Sequence, residues 1–256
     1  MENTPLNPQQ SINLTASGMT QWGPRSLVEE RDACGVGFVA DQQGRPSFKL
    51  VQQALGALGC MEHRGGCCAD KESGDGAGIM TAIPWALLQA WAVSQKIETA
   101  LEPERTGVAM VFLPPQAAAA AIARESFTAA ATAAGFAVLG WREVPVEPTV
   151  LGLLAQQNQP CIEQFFVHSD QASGDELERE LYRLRRQVHR SLMGWQGDAA
   201  IAPPLQETYI CSFSSRTIVY KGMVRSEVLS QFYRDLQNAD YVSPFAIYHR
   251  RFSTNT

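Results

Sequence analysis

Hydrophobic positions along this chain alternate between a period of two and a period of three to four, and the switches predict its elements. Val36, Phe38, Val39 and Ala40 read as a short strand, closed by the turn residues Asp41-Gln42-Gln43-Gly44. Over 49–61, Leu50, Val51, Ala54, Leu55 and Leu58 recur at helical spacing, with Ser47 placed to cap the first turn. A strand over 79–83 follows, then a helix opened by Pro84-Trp85 and running to Ser94. Residues 106–113 alternate like a half-buried strand. Pro114-Pro115 stops it, and an alanine-rich helix over 116–134 ends at Gly135. Further strands are read at 136–141 and 161–167. Ser173 and Glu176 have capping-box spacing and open a long helix to Met193. Its core stripe is Leu177, Leu181, Leu184, Val188 and Leu192, while Arg179, Arg183, Arg185 and Arg186 face solvent. Strands at 208–213 and 217–220 read as a hairpin around Ser214-Ser215-Arg216. A short helix capped by Ser226 and a strand over 245–252 complete the pattern.

Helices fall between groups of strands and not in regular strand–helix alternation. That order predicts an α+β chain of two antiparallel sheets packed together with helices outside. With 256 residues, 45% hydrophobic and 18% charged, the chain has room for one large domain or two small ones. Its net charge of −5 supplies no basic field for nucleic acid or an anionic membrane. No apolar run reaches the roughly 18 residues of a membrane span. Residues 1–26 are rich in Asn, Gln, Ser, Thr and Pro and are expected to be poorly ordered. Residues 1–33 lack the basic start and apolar middle of a secretory signal, so a cytoplasmic protein is expected, or a plastid stromal one in a eukaryote.

Two stretches concentrate chemistry. In the first, Cys34 stands at the mouth of the first strand, and Gly35 and Gly37 leave room for a substrate or another backbone beside it. A lone cysteine is more often a small buried hydrophobe than a catalyst, so the thiol alone assigns nothing. The second stretch, 62–78, is dense in glycine, charge and cysteine, a composition unusual for mere connection. It has neither the spacing of a phosphate-binding loop nor that of a dinucleotide fingerprint. Among the six cysteines, Cys60, Cys67 and Cys68 are close in sequence. They form no Cys-x-x-Cys, and reduced structural thiols are the expectation over a metal site.

Three blocks together resemble the glutaminase domain of glutamate synthases, a family of class II glutamine amidotransferases. They are Ala33-Cys34-Gly35-Val36-Gly37-Phe38, the stretch from Gly59 through His63-Arg64-Gly65-Gly66 to Ser73-Gly74-Asp75-Gly76-Ala77-Gly78, and Arg251-Phe252-Ser253-Thr254-Asn255-Thr256. A fourth block, Ser214-Ser215-Arg216-Thr217-Ile218-Val219-Tyr220-Lys221-Gly222, is similar to the same family, and the likeness spans 27–256. The resemblance implies the four-layer αββα sandwich of N-terminal-nucleophile hydrolases, incomplete at the C-terminus here. It implies a leader, 1–33, whose removal leaves Cys34 as the first residue and nucleophile of an amidotransferase domain over 34–256. A thiol of pKa about 8.5 can then pass its proton to its own α-amine, of pKa about 7.7–8.0, and no catalytic histidine is needed. Attack on the glutamine side-chain amide gives a thioester and ammonia, and water releases glutamate.

By the same resemblance, Arg251 clamps the substrate α-carboxylate, which a planar guanidinium can grip bidentately. Thr254 binds substrate in the same block, and Arg64 and Asp75 shape the pocket floor. The family's oxyanion-hole Asn-Gly pair lies downstream of the last block. Loss of one such donor typically costs about 10²–10³ in rate, so the chain alone is expected to be inactive. FMN and an iron–sulfur cluster belong to the family's other domains, as does ammonia addition to 2-oxoglutarate, and no cofactor is expected in this chain. The wording of 60–78 is closest to the type that takes electrons from ferredoxin, more than to the NADPH-dependent type with its small subunit. Two rivals stand beside this reading. One is a non-catalytic relic or scaffold fragment, and the other is a different class II amidotransferase, which typically lacks so long a leader.

Overall fold

A computed structural model describes residues 19–20, 23–24, 35–61, 72–97 and 101–250. The chain divides into two compact units, Met1–Ala33 and Cys34–Thr256. In the first, β1 (Met19–Thr20) and β2 (Gly23–Pro24) pair antiparallel. The second holds two four-stranded antiparallel sheets. One has the order β3 (Gly35–Ala40), β10 (Phe245–Arg250), β4 (Ala77–Ala82), β9 (Thr217–Gly222). The other has the order β6 (Ala137–Glu143), β7 (Cys161–His168), β5 (Thr106–Leu113), β8 (Tyr209–Ser214). The α+β class of antiparallel sheets and helices is therefore as the order of elements in the sequence implied.

Local chemistry explains most of the helices. Ser47, extended at φ −150, caps α1 (Phe48–Cys60) by accepting the Leu50 N–H, and the helix buries its apolar stripe along β3 and β10. On α2 (Trp85–Ser94), Trp91 stacks on Phe166 of β7 with ring centroids 4.6 Å apart. α3 (Ala117–Ala133) and α5 (Gly174–Met193) cover one face of the second sheet. There Phe127 and the stripe Leu177, Leu181, Leu184, Val188 and Leu192 meet Val111, Phe165 and Val167. Val108, Met110 and Phe166 on the opposite face join Ile79, Tyr220, Ala246 and Tyr248 of the first sheet, with α1 and α2, in a second core.

A buried ionic network ties the sheets together. Both nitrogens of the Arg142 fork on β6 donate to Asp235, at 2.8 and 2.7 Å, and one also donates to Gln164 of β7. Gln164 donates in turn to the Tyr220 hydroxyl of β9, which donates to Asp235 at 2.8 Å. Burial opposes the charge of Arg142, but the Asp235 carboxylate outweighs it and raises the guanidinium pKa. Burial chiefly, helped by the Asp235 charge, keeps the Tyr220 hydroxyl protonated far above the usual tyrosine range.

Three sequence expectations are corrected. The segment around 214–216 is no hairpin, because β8 pairs with β5 while β9 pairs with β4, so the turn carries the chain from one sheet to the other. Side-chain oxygens take the place of the ladder: Ser212 Oγ accepts the Val219 N–H, and Ser214 Oγ accepts those of Arg216 and Thr217. Glu178 of α5 accepts from the Ser215 N–H and from both serine hydroxyls. Ser173 sits at the N-cap of α5 but makes no capping bond, leaving Asp175 and Glu176 to favour the helix N-terminus by charge. The helix expected after Ser226 is two pieces, α7 (Leu229–Phe232) and a 3₁₀ turn (Arg234–Gln237), broken where Tyr233 turns extended at ψ 101. Short helices α4 (Leu153–Gln157) and α6 (Ala202–Gln206) carry too few residues for a readable period. Of the strand read at 245–252, the described part ends at Arg250, and the segments read as poorly ordered lie largely outside the described residues.

Candidate active site

One register row defines an end of the first sheet. Gly35 opposes Arg250, Arg250 opposes Ala77, and Ala77 opposes Gly222, so the row crosses all four strands. β4 begins at this row and β9 ends at it, and the described parts of β3 and β10 stop there. Cys34 precedes Gly35, Arg251 follows Arg250, Asp75 and Gly76 precede Ala77, and Met223 follows Gly222. Gly35, Ala77, Gly222 and Arg250, far apart in sequence, thus meet in one row. Cys34, Arg64, Arg251 and Thr254 themselves lie outside the described residues. Asp75 is described and half-buried.

The segment leading to Asp75 is wedged from two sides. A Cβ on Gly74 would fall 2.6 Å from backbone atoms of Val224 and Arg225, just past the end of β9. A Cβ on Gly152 would fall 2.5 Å from the Ser73 nitrogen. Ser73 is buried, and its hydroxyl accepts the Ala155 N–H from the first turns of α4. Gly76 takes φ +119, a conformation that L side chains rarely adopt. Gly74 and Gly152 thus each let one backbone approach another beside this row, while Gly76 supplies the left-handed turn between Asp75 and β4.

Arg250 and Arg251 are neighbours, yet the sequence alone does not say which is structural. Arg250 is 2% exposed and donates to Ser226 Oγ at 2.7 Å, which also explains why Ser226 caps no helix. Arg250 is therefore committed to the fold, while Arg251 lies outside the described residues.

Sequence reading missed Lys221 and Tyr209. Lys221 stands one residue inside the row, with its Nζ 2.7 Å from the Tyr209 hydroxyl and 4.2 Å from that ring's centroid. Gly78, its register partner, carries no side chain, and a Cβ there would lie 2.6 Å from His249 Nε2 and 2.8 Å from Lys221 Cβ. The signal was present as the Tyr-Lys-Gly wording, but no period marks it. Of the cysteines, Cys67 and Cys68 lie outside the described residues. Cys60 and Cys161 are exposed, and burial pushes the Cys211 thiol up to about 12, where it is inert at neutral pH.

Comparison with known proteins bears on the same residues. The model of class-II glutamine amidotransferases matches residues 34–256. Ferredoxin-dependent glutamate synthase 2 of Synechocystis sp. is 51% identical over 243 residues, 94% of this chain and 15% of that protein. The chloroplastic ferredoxin-dependent glutamate synthase of Oryza sativa subsp. japonica is 51% identical over 231 residues, 90% of this chain and 14% of its own length. Ferredoxin-dependent glutamate synthase 2, chloroplastic, of Arabidopsis thaliana is 49% identical over 259 residues, 98% of this chain and 15% of its own. The chain therefore spans about 15% of the length of these relatives. A match across residues 34–256, which begins at the cysteine and takes in every strand of both sheets, makes this chain a member of the class-II glutamine amidotransferases.

Proposed function

We propose that this chain is the glutamine-hydrolysing part of a ferredoxin-dependent glutamate synthase, with Cys34 as its nucleophile once residues 1–33 are removed. The observation that supports the reading is the register row Gly35–Arg250–Ala77–Gly222, because it brings together the residue after Cys34, the residue before Arg251 and Ala77, two positions past Asp75. Freed by cleavage after Ala33, the α-amine of Cys34 takes the thiol proton and the thiolate attacks the glutamine side-chain amide carbonyl. Ammonia leaves with that proton, a thioester remains, and water hydrolyses it to glutamate. Arg251 grips the α-carboxylate, Thr254 binds beside it, and Arg64 and Asp75 shape the pocket floor. The coincidence of the unit boundary with the start of the family match, both at Cys34, supports a separate leader.

FMN and the iron–sulfur cluster come to this reading from the family alone. Among the described residues no three His, Cys, Asp or Glu side chains gather as a metal site requires, and Cys60, Cys161 and Cys211 sit on three different elements. The described residues thus offer no ligand set for the cluster, and no step here runs through either group. In the intact enzyme, ammonia would add reductively to 2-oxoglutarate with electrons from ferredoxin, a donor favoured over an NADPH-dependent small subunit by the names of the relatives. Among the described residues no helix is long and apolar enough to cross a membrane, and chloroplastic relatives favour a plastid stroma if the source is a plant, the cytoplasm otherwise.

Mass spectrometry of the intact enzyme, expressed from Met1, tests the core of this. The mature chain is expected to start at Cys34, and Cys34→Ala is expected to abolish glutamine hydrolysis, a loss of at least about 10³-fold. An enzyme fully active with residues 1–33 attached, or one indifferent to Cys34→Ala, would refute the mechanism.

A further inference from the structure

Behind the sheet end, where β9 runs out at Gly222, lies a cavity of about 270 Å³ walled chiefly by Leu113, Leu151, Ile162, Val224, Phe232 and Tyr233. A smaller one of about 80 Å³, between Gly76, Ala77 and His249, shares Phe112, Lys221, Gly222 and Met223 with it, so the two adjoin. The larger cavity is apolar in its walls and cationic at one point of its rim. Tyr233 spends its hydroxyl on the Lys221 carbonyl at 2.8 Å. Lys221 spends one ammonium proton on Tyr209 and has two more to donate. Glu207 is the other charged lining residue, and it is exposed, so solvent screens its carboxylate.

These walls are wrong for glutamine: Leu113, Leu151, Ile162, Val224 and Phe232 would desolvate its amide, ammonium and carboxylate, and the polar lining side chains, Asn158, Gln159, Glu207, Tyr209 and Lys221, are exposed or half-buried. They suit a ligand with an apolar body and a single anionic end. An apolar cavity of about 150 Å³ accepts benzene. The space here is nearly twice that, enough for a phenyl ring and a short alkyl arm. We propose that this cavity binds a small arylalkyl carboxylate, with the ring against Leu151, Ile162 and Phe232 and the carboxylate on the Lys221 ammonium. The site does not use Cys34 and stands whether or not the chain hydrolyses glutamine. Its occupant would rest against Val224, whose backbone meets Gly74.

Calorimetric titration of the full 256-residue chain with 3-phenylpropanoate, and with its neutral amide as control, tests the proposal. The acid is expected to bind saturably and about tenfold more tightly than the amide, as one charge-assisted hydrogen bond provides. Lys221→Met should bring the two ligands to the same affinity. Ala155→Leu, which adds bulk to a buried wall position, should remove both. Leu151→Phe serves the same purpose if circular dichroism shows that Ala155→Leu is misfolded. Absence of saturable binding, equal affinities for acid and amide in the unaltered chain, or unchanged binding in a folded cavity-filling variant would overturn the proposal.

Discussion

At Gly74 the obstacle to a side chain is backbone, 2.6 Å away on Val224 and Arg225, and backbone cannot rotate aside as a side chain can. Gly107 makes a useful contrast. A Cβ there would meet the Leu181 methyls at 2.4 and 2.8 Å, and those are the far end of a flexible side chain. Gly74→Ala is therefore expected to displace the 72–76 segment and Asp75 with it, whereas Gly107→Ala repacks one leucine. In the intact enzyme, kcat/KM for glutamine hydrolysis should fall about 100-fold in Gly74→Ala, the usual consequence of an ångström-scale misplacement near the chemistry. Gly107→Ala should leave it near the parent value. Equal kinetics in the two variants would show that the Gly74 contact does not position the site. Much of this was legible in the sequence as a dense glycine wording, but the reason for each glycine was not. Gly74 and Gly152 are constrained by residues more than 70 positions away, Val224 and Ser73.

Among elements, legibility followed how local the determining interactions are. Ser47 and Ser173 look alike in sequence, each preceding an apolar helical stripe. Ser47 accepts the Leu50 N–H and Ser173 caps nothing, so the shared spacing does not decide the bond. The 214–216 turn looked like a hairpin because the turn itself is local. The partner choice of β8 and β9 is set by Glu178 on α5 and by the two sheets. The Arg142–Asp235 pair joins β6 to the 3₁₀ turn before β10, and both residues are buried. Replacing Asp235 by Asn leaves a buried guanidinium without its counter-charge, which should lower unfolding free energy by about 3–5 kcal/mol. The double variant Arg142→Met/Asp235→Leu should lose clearly less than the sum of its single changes. Urea denaturation of the parent, Asp235→Asn, Arg142→Met, Asp235→Leu and the double variant checks both statements, and additive losses would mean that the pair is not coupled.

For the whole molecule, the decisive fact is that β7 belongs to both cores. Phe166 points into the cluster shared with the first sheet, while Phe165 and Val167 point into the cluster under α3 and α5. Neither core can open without exposing the other face of that strand, so residues 34–256 should unfold as one cooperative unit. Tryptophan fluorescence samples both cores through Trp91 and Trp141, and far-UV circular dichroism samples the backbone. Their urea transitions should coincide at one midpoint, and two separated transitions would contradict the shared-strand argument. The sequence by itself determined the strands and long helices, the α+β class, and the likeness to class II amidotransferases, since periodicity, caps and motif wording are carried by neighbours along the chain. Only the tertiary structure decided which strands pair, that β8 and β9 part into different sheets, that Arg250 is the arginine consumed by the fold, and that Gly35, Ala77, Gly222 and Arg250 share one row. Those outcomes depend on contacts between residues tens to hundreds of positions apart, and the free energy of such contacts is written in no local pattern.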